Sequence, residues 1–243
     1  MAKPLITIVT CTKNQGKYLP ELLQSLTVQE EKNFEHVIID GFSSDNTVSL
    51  LTKYKKENET AFPIHIHQFP PLGIADAMNK GILHSHGDWI IIIHGDDYLI
   101  NEKATDVIEK AVKMNTHSEW IVANTTRKLW GIRYTTKTFL LKPILFRLLP
   151  VYNFLNHQNM IMRRDLFLKY GGFRTDFKIN MDYEYYLRLL HHGVMPAAFD
   201  GEFSVFRRHE SSASAMRENQ ATVVEEFIKL KRQYKNAVKW GKR

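Results

Sequence analysis

The sequence predicts an α/β domain: a mostly parallel central sheet flanked by helices, with a helical extension at the carboxyl end. Three observations predict it. Short apolar runs alternate with amphipathic stretches through roughly the first 125 residues, as strands and helices alternate around a parallel sheet. The runs are apolar throughout, as in strands covered on both faces. Polar and acidic residues collect directly after these runs, where open parallel sheets bind their ligands.

Each element follows from its pattern. Residues 5–10 (LITIVT) are β-rich, and 17–28 place Leu19, Leu22, Leu23 and Leu26 at helical spacing. Residues 36–40 (HVIID) form a buried strand. Ser43-Ser44-Asp45-Asn46-Thr47 supplies a loop and cap for a helix reaching about Asn58. Residues 64–68 make a third strand, 75–83 a helix, 89–94 (WIIIIH) the most apolar strand, 101–114 a helix and 120–124 another strand. The pattern then changes. Residues 140–155 are apolar, aromatic and basic, interrupted by Pro143 and Pro150, and Gly171-Gly172 marks a turn. Residues 182–192 predict a helix, 203–206 a strand and 222–238 a final helix.

Composition narrows the class. The chain has 243 residues and a formal charge of +7, unevenly placed. Residues 120–164 hold eight Lys or Arg and no Asp or Glu, and residues 217–243 are also strongly basic. An acidic part suited to a metal and a basic part suited to an anionic acceptor or membrane surface are therefore expected. The sole cysteine, Cys11, cannot form an intrachain disulfide, and no Cys/His cluster suggests structural zinc. No signal peptide and no run of 18 apolar residues is evident, so a cytoplasmic protein is the expectation. Helix-turn-helix, zinc-finger and RNP motifs are missing, so no nucleic-acid partner is expected, and the phosphate-binding fingerprints of other nucleotide enzymes, GxGxxG and GxxxxGK[ST], are missing as well.

Asp96-Asp97 is the sharpest feature. Adjacent carboxylates after an apolar strand repel unless a cation or donors are present, and oxygen ligands suit Mg²⁺ or Mn²⁺. A plain turn or helix N-cap is the competing reading. Asp40 ends its strand before Gly41, where it could accept from a nucleobase or ribose, or serve only as a turn residue.

Residues 5–12 with Asn14, followed by Val37-Ile38-Ile39-Asp40-Gly41-Phe42-Ser43-Ser44-Asp45-Asn46-Thr47, resemble the opening of family-2 glycosyltransferases. Gly73-Ile74-Ala75-Asp76-Ala77-Met78-Asn79-Lys80-Gly81-Ile82 resembles that family's central motif, followed in order by Gly87-Asp88-Trp89 and Asp96-Asp97. The resemblance covers roughly residues 4–210 and points to enzymes of bacterial surface polysaccharides, of the colanic-acid, capsule or O-antigen type. It departs from the common form at His94, Gly95 and Ala75, where Asn, Ala and Tyr are usual.

The resemblance implies a GT-A, Rossmann-like fold, a nucleotide-sugar donor (a UDP-sugar first), a divalent Mn²⁺ or Mg²⁺ and an inverting transfer. It assigns residues 1–216 to the transferase domain, with 1–125 the nucleotide-sugar half and 126–216 the acceptor half, and leaves 217–243 as a basic C-terminal helix. Thr10 and Asp40 would hold the base, with Asn14 nearby; Asp76 and Lys80 would lie near ribose or diphosphate, and Asp96 would face the donor. Asp97 would bind the metal, with His209, within Arg207-Arg208-His209-Glu210-Ser211-Ser212, reaching metal or diphosphate. Asp182 in Asn180-Met181-Asp182-Tyr183-Glu184 would be the general base and Glu184 its runner-up, while His157 and Gln158 would line the acceptor pocket. Taken alone, Asp182 also fits a helix cap, His157 a core histidine and His209 a loop histidine. The acceptor would be a glycan or lipid-linked saccharide. The basic apolar segment 137–155, with Lys137, Lys142 and Arg147, fits either the inner membrane face or a packed helix with snorkelling cations. A sugar nucleotidyltransferase, or a non-catalytic nucleotide-sugar- or glycan-binding subunit, are the alternatives.

Overall fold

Buried β-branched runs set the architecture. A computed structural model describes residues 3–129, 131–137, 146, 148–207, 209 and 216–234. Strands β1 (Ile6–Thr12), β2 (Phe34–Asp40), β3 (Ile64–Gln68) and β4 (Trp89–Ile92) alternate with helices α1 (Leu19–Thr27), α2 (Thr47–Asn58) and α3 (Ile74–Leu83). Next come β5 (Tyr98–Leu99), α4 (Ala104–Met114), β6 (Trp120–Val122), and the hairpin β7 (Thr125–Leu129) and β8 (Ile132–Thr136). After them follow β9 (Met160–Arg163), α5 (Arg164–Tyr170), α6 (Met181–His191), β10 (Ala197–Ala198), β11 (Ser204–Arg207) and α7 (Gln220–Gln233).

The seven-stranded sheet has the order β10-β6-β9-β4-β1-β2-β3. All its pairings are parallel except those of β9, which runs antiparallel between β4 and β6. A smaller sheet, β5-β11-β7-β8, adjoins it in sequence through β5 and β7. Strand alternation divides the core into two layers. Ile6 and Ile8 of β1, with Phe34 and Ile38 of β2, face α1, α2 and α4. Val9 of β1, with Ile90 and Ile92 of β4, faces α3, α5 and α6. The result is a sheet between two helical layers.

The expected mostly parallel sheet and its flanking helices are present. Two features were not expected. The hairpin lacks an apolar signal, since all five β8 residues are exposed. Strand β9 is only four residues long, and α5 follows it without a break. The final helix ends its described span at Gln233 and packs onto the rest. Its Glu226 carboxylate accepts from the backbone N–H groups of Lys178, Ile179 and Asn180 at 2.5, 3.2 and 2.8 Å, fixing the loop that enters α6. Residues 138–145 and 147 of the 137–155 segment, including Lys142 and Arg147, lie outside the described residues. Within it, Phe146, Leu149 and Leu155 are buried, whereas Leu148, Val151 and Tyr152 are exposed. Among the described residues no helix is long and apolar enough to cross a membrane.

Candidate active site

Parallel strands present their carboxyl ends to one rim, and a cleft of about 590 Å³ opens there. Cys11, Asp76, Lys80, His94, Asp96, Asp97, His157, Gln158 and Asp182 all line it. Gly73 starts the α3 wall with φ of 118°, a backbone conformation that favours glycine.

Asp97 is buried, in the turn between β4 and β5. Its Oδ1 accepts from the Arg207 backbone N–H at 2.8 Å, and its Oδ2 from Gln158 Nε2 at 2.8 Å. Burial, and next the charge of Asp96, push its acid well above the ordinary carboxylate range, against the opposing pull of those two donors. The pair is therefore short of positive charge, and each Asp97 oxygen keeps a lone pair beyond its one donor among the described residues. A divalent cation fits that deficit. Asp96 Oδ2 lies 2.9 Å from His209 Nε2, and the His209 ring stacks on Tyr18 at 4.4 Å. His209 thus reaches the acidic pair, through Asp96. Its neighbours Arg208, Glu210, Ser211 and Ser212 lie outside the described residues.

Asp182 sits in the first turn of α6, and Asn180 is the residue before the helix. Its Oδ1 accepts from the Tyr183 N–H at 2.6 Å, and its Oδ2 is 3.3 Å from His157 Nδ1. His94 packs edge-on to His157 at 4.6 Å. Burial, then His157, holds His94 down to about 3, so it is a neutral wall of the cleft. The buried Nε2 of His157 has no protein partner among the described residues. On α3, Lys80 Nζ donates to Asp76 Oδ2 at 2.6 Å and lies 4.8 Å from the Phe69 ring centroid. Beneath them, burial and then Asp76 push the Cys11 thiol up to about 12, which removes it as a nucleophile.

Three expected nucleotide residues stand outside this lining. Thr10 Oγ1 is buried 2.9 Å from His36 Nε2. Strand alternation explains it, because Cys11 faces the cleft and Thr10 the opposite layer. Asp40 accepts from the Ser43 N–H, the Ser43 hydroxyl and Gln68 Nε2 at 3.0, 2.5 and 3.0 Å. Asn14 has φ of 52°; its Oδ1 accepts from the Ser44 N–H and its own N–H donates to Ser43 Oγ, both at 2.8 Å. Asp40 and Asn14 thus brace the loops after β1 and β2, whereas Thr10 ties β1 to β2 through His36.

Glu184 requires a correction. Its carboxylate is fully buried, bound by Arg188 Nη2 at 2.7 Å and by the Tyr234 hydroxyl at 2.6 Å, and it is absent from the cleft lining. Two residues along a helix turn a side chain about 200°, so Asp182 and Glu184 cannot share a face. Gln158 does line the cleft, yet its amide is committed to Asp97. His94 was not anticipated as a site residue, although its place just before the acidic pair was the available signal.

A sheet of this topology with carboxylates gathered beyond its strand ends defines a GT-A-type α/β domain. The chain belongs to glycosyl transferase family 2, whose sequence profile matches residues 7–171. It is 28% identical over 190 residues to an uncharacterized glycosyltransferase of Haemophilus influenzae, covering 76% of this chain and 62% of the relative, less than two thirds of that protein. It is 25% identical over 192 residues to a PGL/p-HBAD biosynthesis glycosyltransferase of Mycobacterium bovis, covering 77% and 70%. S. aureus TarS, solved with UDP-GlcNAc, superposes with a TM-score of 0.70 at 18% identity, covering 96% of this chain and 72% of that one. A mannosyltransferase of Pyrobaculum calidifontis, solved with GDP-Man and Mn²⁺, gives 0.68 at 15% identity, covering 98% and 70%.

Proposed function

We propose that this chain transfers a glycosyl group from a nucleotide-sugar, a UDP-sugar first, to an acceptor hydroxyl with inversion, using Mn²⁺ or Mg²⁺. The acceptor is a glycan or lipid-linked saccharide of bacterial surface-glycan synthesis. One observation carries the reading: a single cleft holds a charge-deficient acid, Asp97, and a second carboxylate, Asp182, oriented by a histidine. The nucleotide-sugar complexes of TarS and the mannosyltransferase support the donor class.

Asp97 would hold the cation, with Asp96 and His209 beside it. When bound, the cation supplies electrostatic stabilisation of the departing nucleoside diphosphate. Asp182 accepts the acceptor hydroxyl's proton as that oxygen bonds to the anomeric carbon. The anomeric carbon–oxygen bond breaks, its electron pair leaves with the diphosphate, and the configuration inverts. His157 fixes Asp182 Oδ2, and neutral His94 adds no charge that would compete for the base. Lys80, balanced by Asp76, stands where diphosphate charge can be met.

The test is nucleotide release from a panel of UDP-sugars with Mn²⁺, Mg²⁺ or EDTA, with soluble and lipid-linked acceptors. Asp182→Asn keeps the acceptor oxygen for the Tyr183 N–H and should lower turnover by about 10²–10⁴-fold while nucleotide binding persists. Undiminished turnover in that variant refutes the base assignment. Pyrophosphate formation from a nucleoside triphosphate and sugar phosphate would establish a nucleotidyltransferase instead, and metal-dependent binding without any turnover a binding subunit.

A further inference from the structure

At the opposite end of the sheet, a group of ligand-type side chains is unused by glycosyl transfer. Edge strand β3 reads Ile64-His65-Ile66-His67. Alternation sends the isoleucines towards the α2 layer and both histidines to the other face. The loop after α3 repeats that spacing with His84-Ser85-His86. The two pairs meet, with His67 and His84 stacked at 4.1 Å and His65 and His86 rings 5.6 Å apart.

Glu35, the second residue of β2, presents its carboxylate to the outer pair. Oε2 lies 2.9 Å from His86 Nδ1 and 3.5 Å from His65 Nε2. Oε1 is occupied separately, accepting from Thr7 Oγ1 at 2.5 Å and from the His86 and Gly87 N–H groups at 2.5 and 3.2 Å. Gly87 permits that close approach: a Cβ there would stand 2.6 Å from the Thr7 nitrogen. The Glu35 side chain is 1% exposed, whereas those of His65 and His86 are 39% and 64% exposed. The carboxylate is thus a fixed anchor, oriented by its own donors, and the imidazoles are adjustable and open to solvent.

We propose that Glu35, His65 and His86 bind a borderline transition-metal ion, Zn²⁺ in the first instance. Metal–ligand bonds of about 2.0–2.1 Å place tetrahedral ligand atoms about 3.3 Å apart, and the observed 2.9 and 3.5 Å bracket that edge. The three ligand atoms lie within 4.8 Å of one another, a gap the two exposed rings can close by small rotations. Two imidazoles and one carboxylate select Zn²⁺, Cu²⁺ or Ni²⁺ over Mg²⁺, and water completes the shell. Glu35 and Asp40 lie five residues apart along β2, about 17 Å, so this ion takes no part in chemistry at the cleft. It would instead tie edge strand β3 to the loop that enters β4.

The test uses the untagged full chain, stripped with EDTA and freed of it, titrated calorimetrically with ZnCl₂ without nucleotide. A Zn²⁺ binding event should weaken in His65→Ala and in His86→Ala by at least the roughly ten- to a hundredfold that loss of an outer-shell partner costs, and should persist in Asp97→Asn, which removes the ligand proposed for the cleft's own cation. Co²⁺ should give the intense visible bands of a four-coordinate ion in the wild type, lost in His65→Ala. Neither histidine is buried, so both variants should remain folded in zinc-free buffer, with His86→Ala losing only the stability of its hydrogen bond to Glu35. Absence of saturable Zn²⁺ binding by the wild type, binding indifferent to both histidine variants, or loss of binding in Asp97→Asn would each overturn the proposal.

Discussion

Gln158→Leu separates the role the structure gives this residue from the acceptor-pocket role its motif implies. The amide donates to Asp97 Oδ2 at 2.8 Å, and both side chains are buried. Leucine keeps most of the volume and removes the donor, while the contact from Ser204 Oγ to the Gln158 carbonyl, a backbone group, stays. A hydrogen bond to a charged group is worth about 1.5–3 kcal/mol, and this one favours the ionised form of Asp97. At about 1.4 kcal/mol per decade, its loss weakens cation binding roughly ten- to a hundredfold. Removing an outer-shell partner of a metal ligand has the same typical cost, about 10–100-fold. The assay is nucleotide release as a function of Mn²⁺ concentration. Half-saturating Mn²⁺ should rise by that factor, and turnover at saturating Mn²⁺ should return to within severalfold of wild type. An unchanged Mn²⁺ requirement with a raised acceptor KM would refute the reasoning and restore Gln158 to the acceptor.

Two further outcomes follow from buried groups. His36 lies between Tyr54 Oη and Thr10 Oγ1, and burial holds it down to about 3, below its ordinary 6.5. A depressed histidine pKa means that the unfolded chain takes up the proton first as pH falls through 6.5. Stability is therefore lost by about 2 kcal/mol between pH 7.5 and 5, a loss that depends on the unfolded value and hardly on the folded one. His36→Gln should remove about that much from the pH slope of urea-unfolding free energy, and an equal slope in the variant would contradict the assignment. Tyr234→Phe withdraws the hydroxyl held by buried Glu184 and should cost about 1.5–3 kcal/mol in urea, with kcat unchanged at temperatures where the variant is folded. A loss of turnover without loss of stability would return Glu184 to the chemistry.

The fold was legible where burial is strongest. The runs at β1, β2 and β4 are apolar because both faces are covered, and α1 and α3 carry amphipathic spacing, so their order spelled a parallel sheet. The hairpin and β9 were not legible, since an exposed strand such as β8 has no apolar constraint and β9 runs straight into α5 with no turn residues to mark its end. At the site, the family resemblance brought Asp97, Asp182, Asp76 and Lys80 together, and all four line one cleft. It did not show which face Thr10 takes, because that depends on strand register. Glu184 misled for a related reason: an acid two residues from Asp182 reads as a second candidate in one dimension and lies on the opposite side of the helix in three.

The antiparallel β9 is also what joins the two carboxylates of the site. The single 3-10 turn that leads into it, His157–Asn159, carries three side chains with three destinations. His157 meets Asp182 on α6, Gln158 meets Asp97 beyond β4, and Asn159 donates to the Ala123 carbonyl after β6. Ser204 of β11 holds the same turn by its carbonyl, and the Arg207 N–H of β11 donates to Asp97. The later half of the chain, from which only His209 was expected at the metal, therefore also holds the acid proposed to bind the cation, through Gln158 and the Arg207 N–H. The two carboxylates proposed as cation ligand and base are thus both contacted by adjacent residues of one turn.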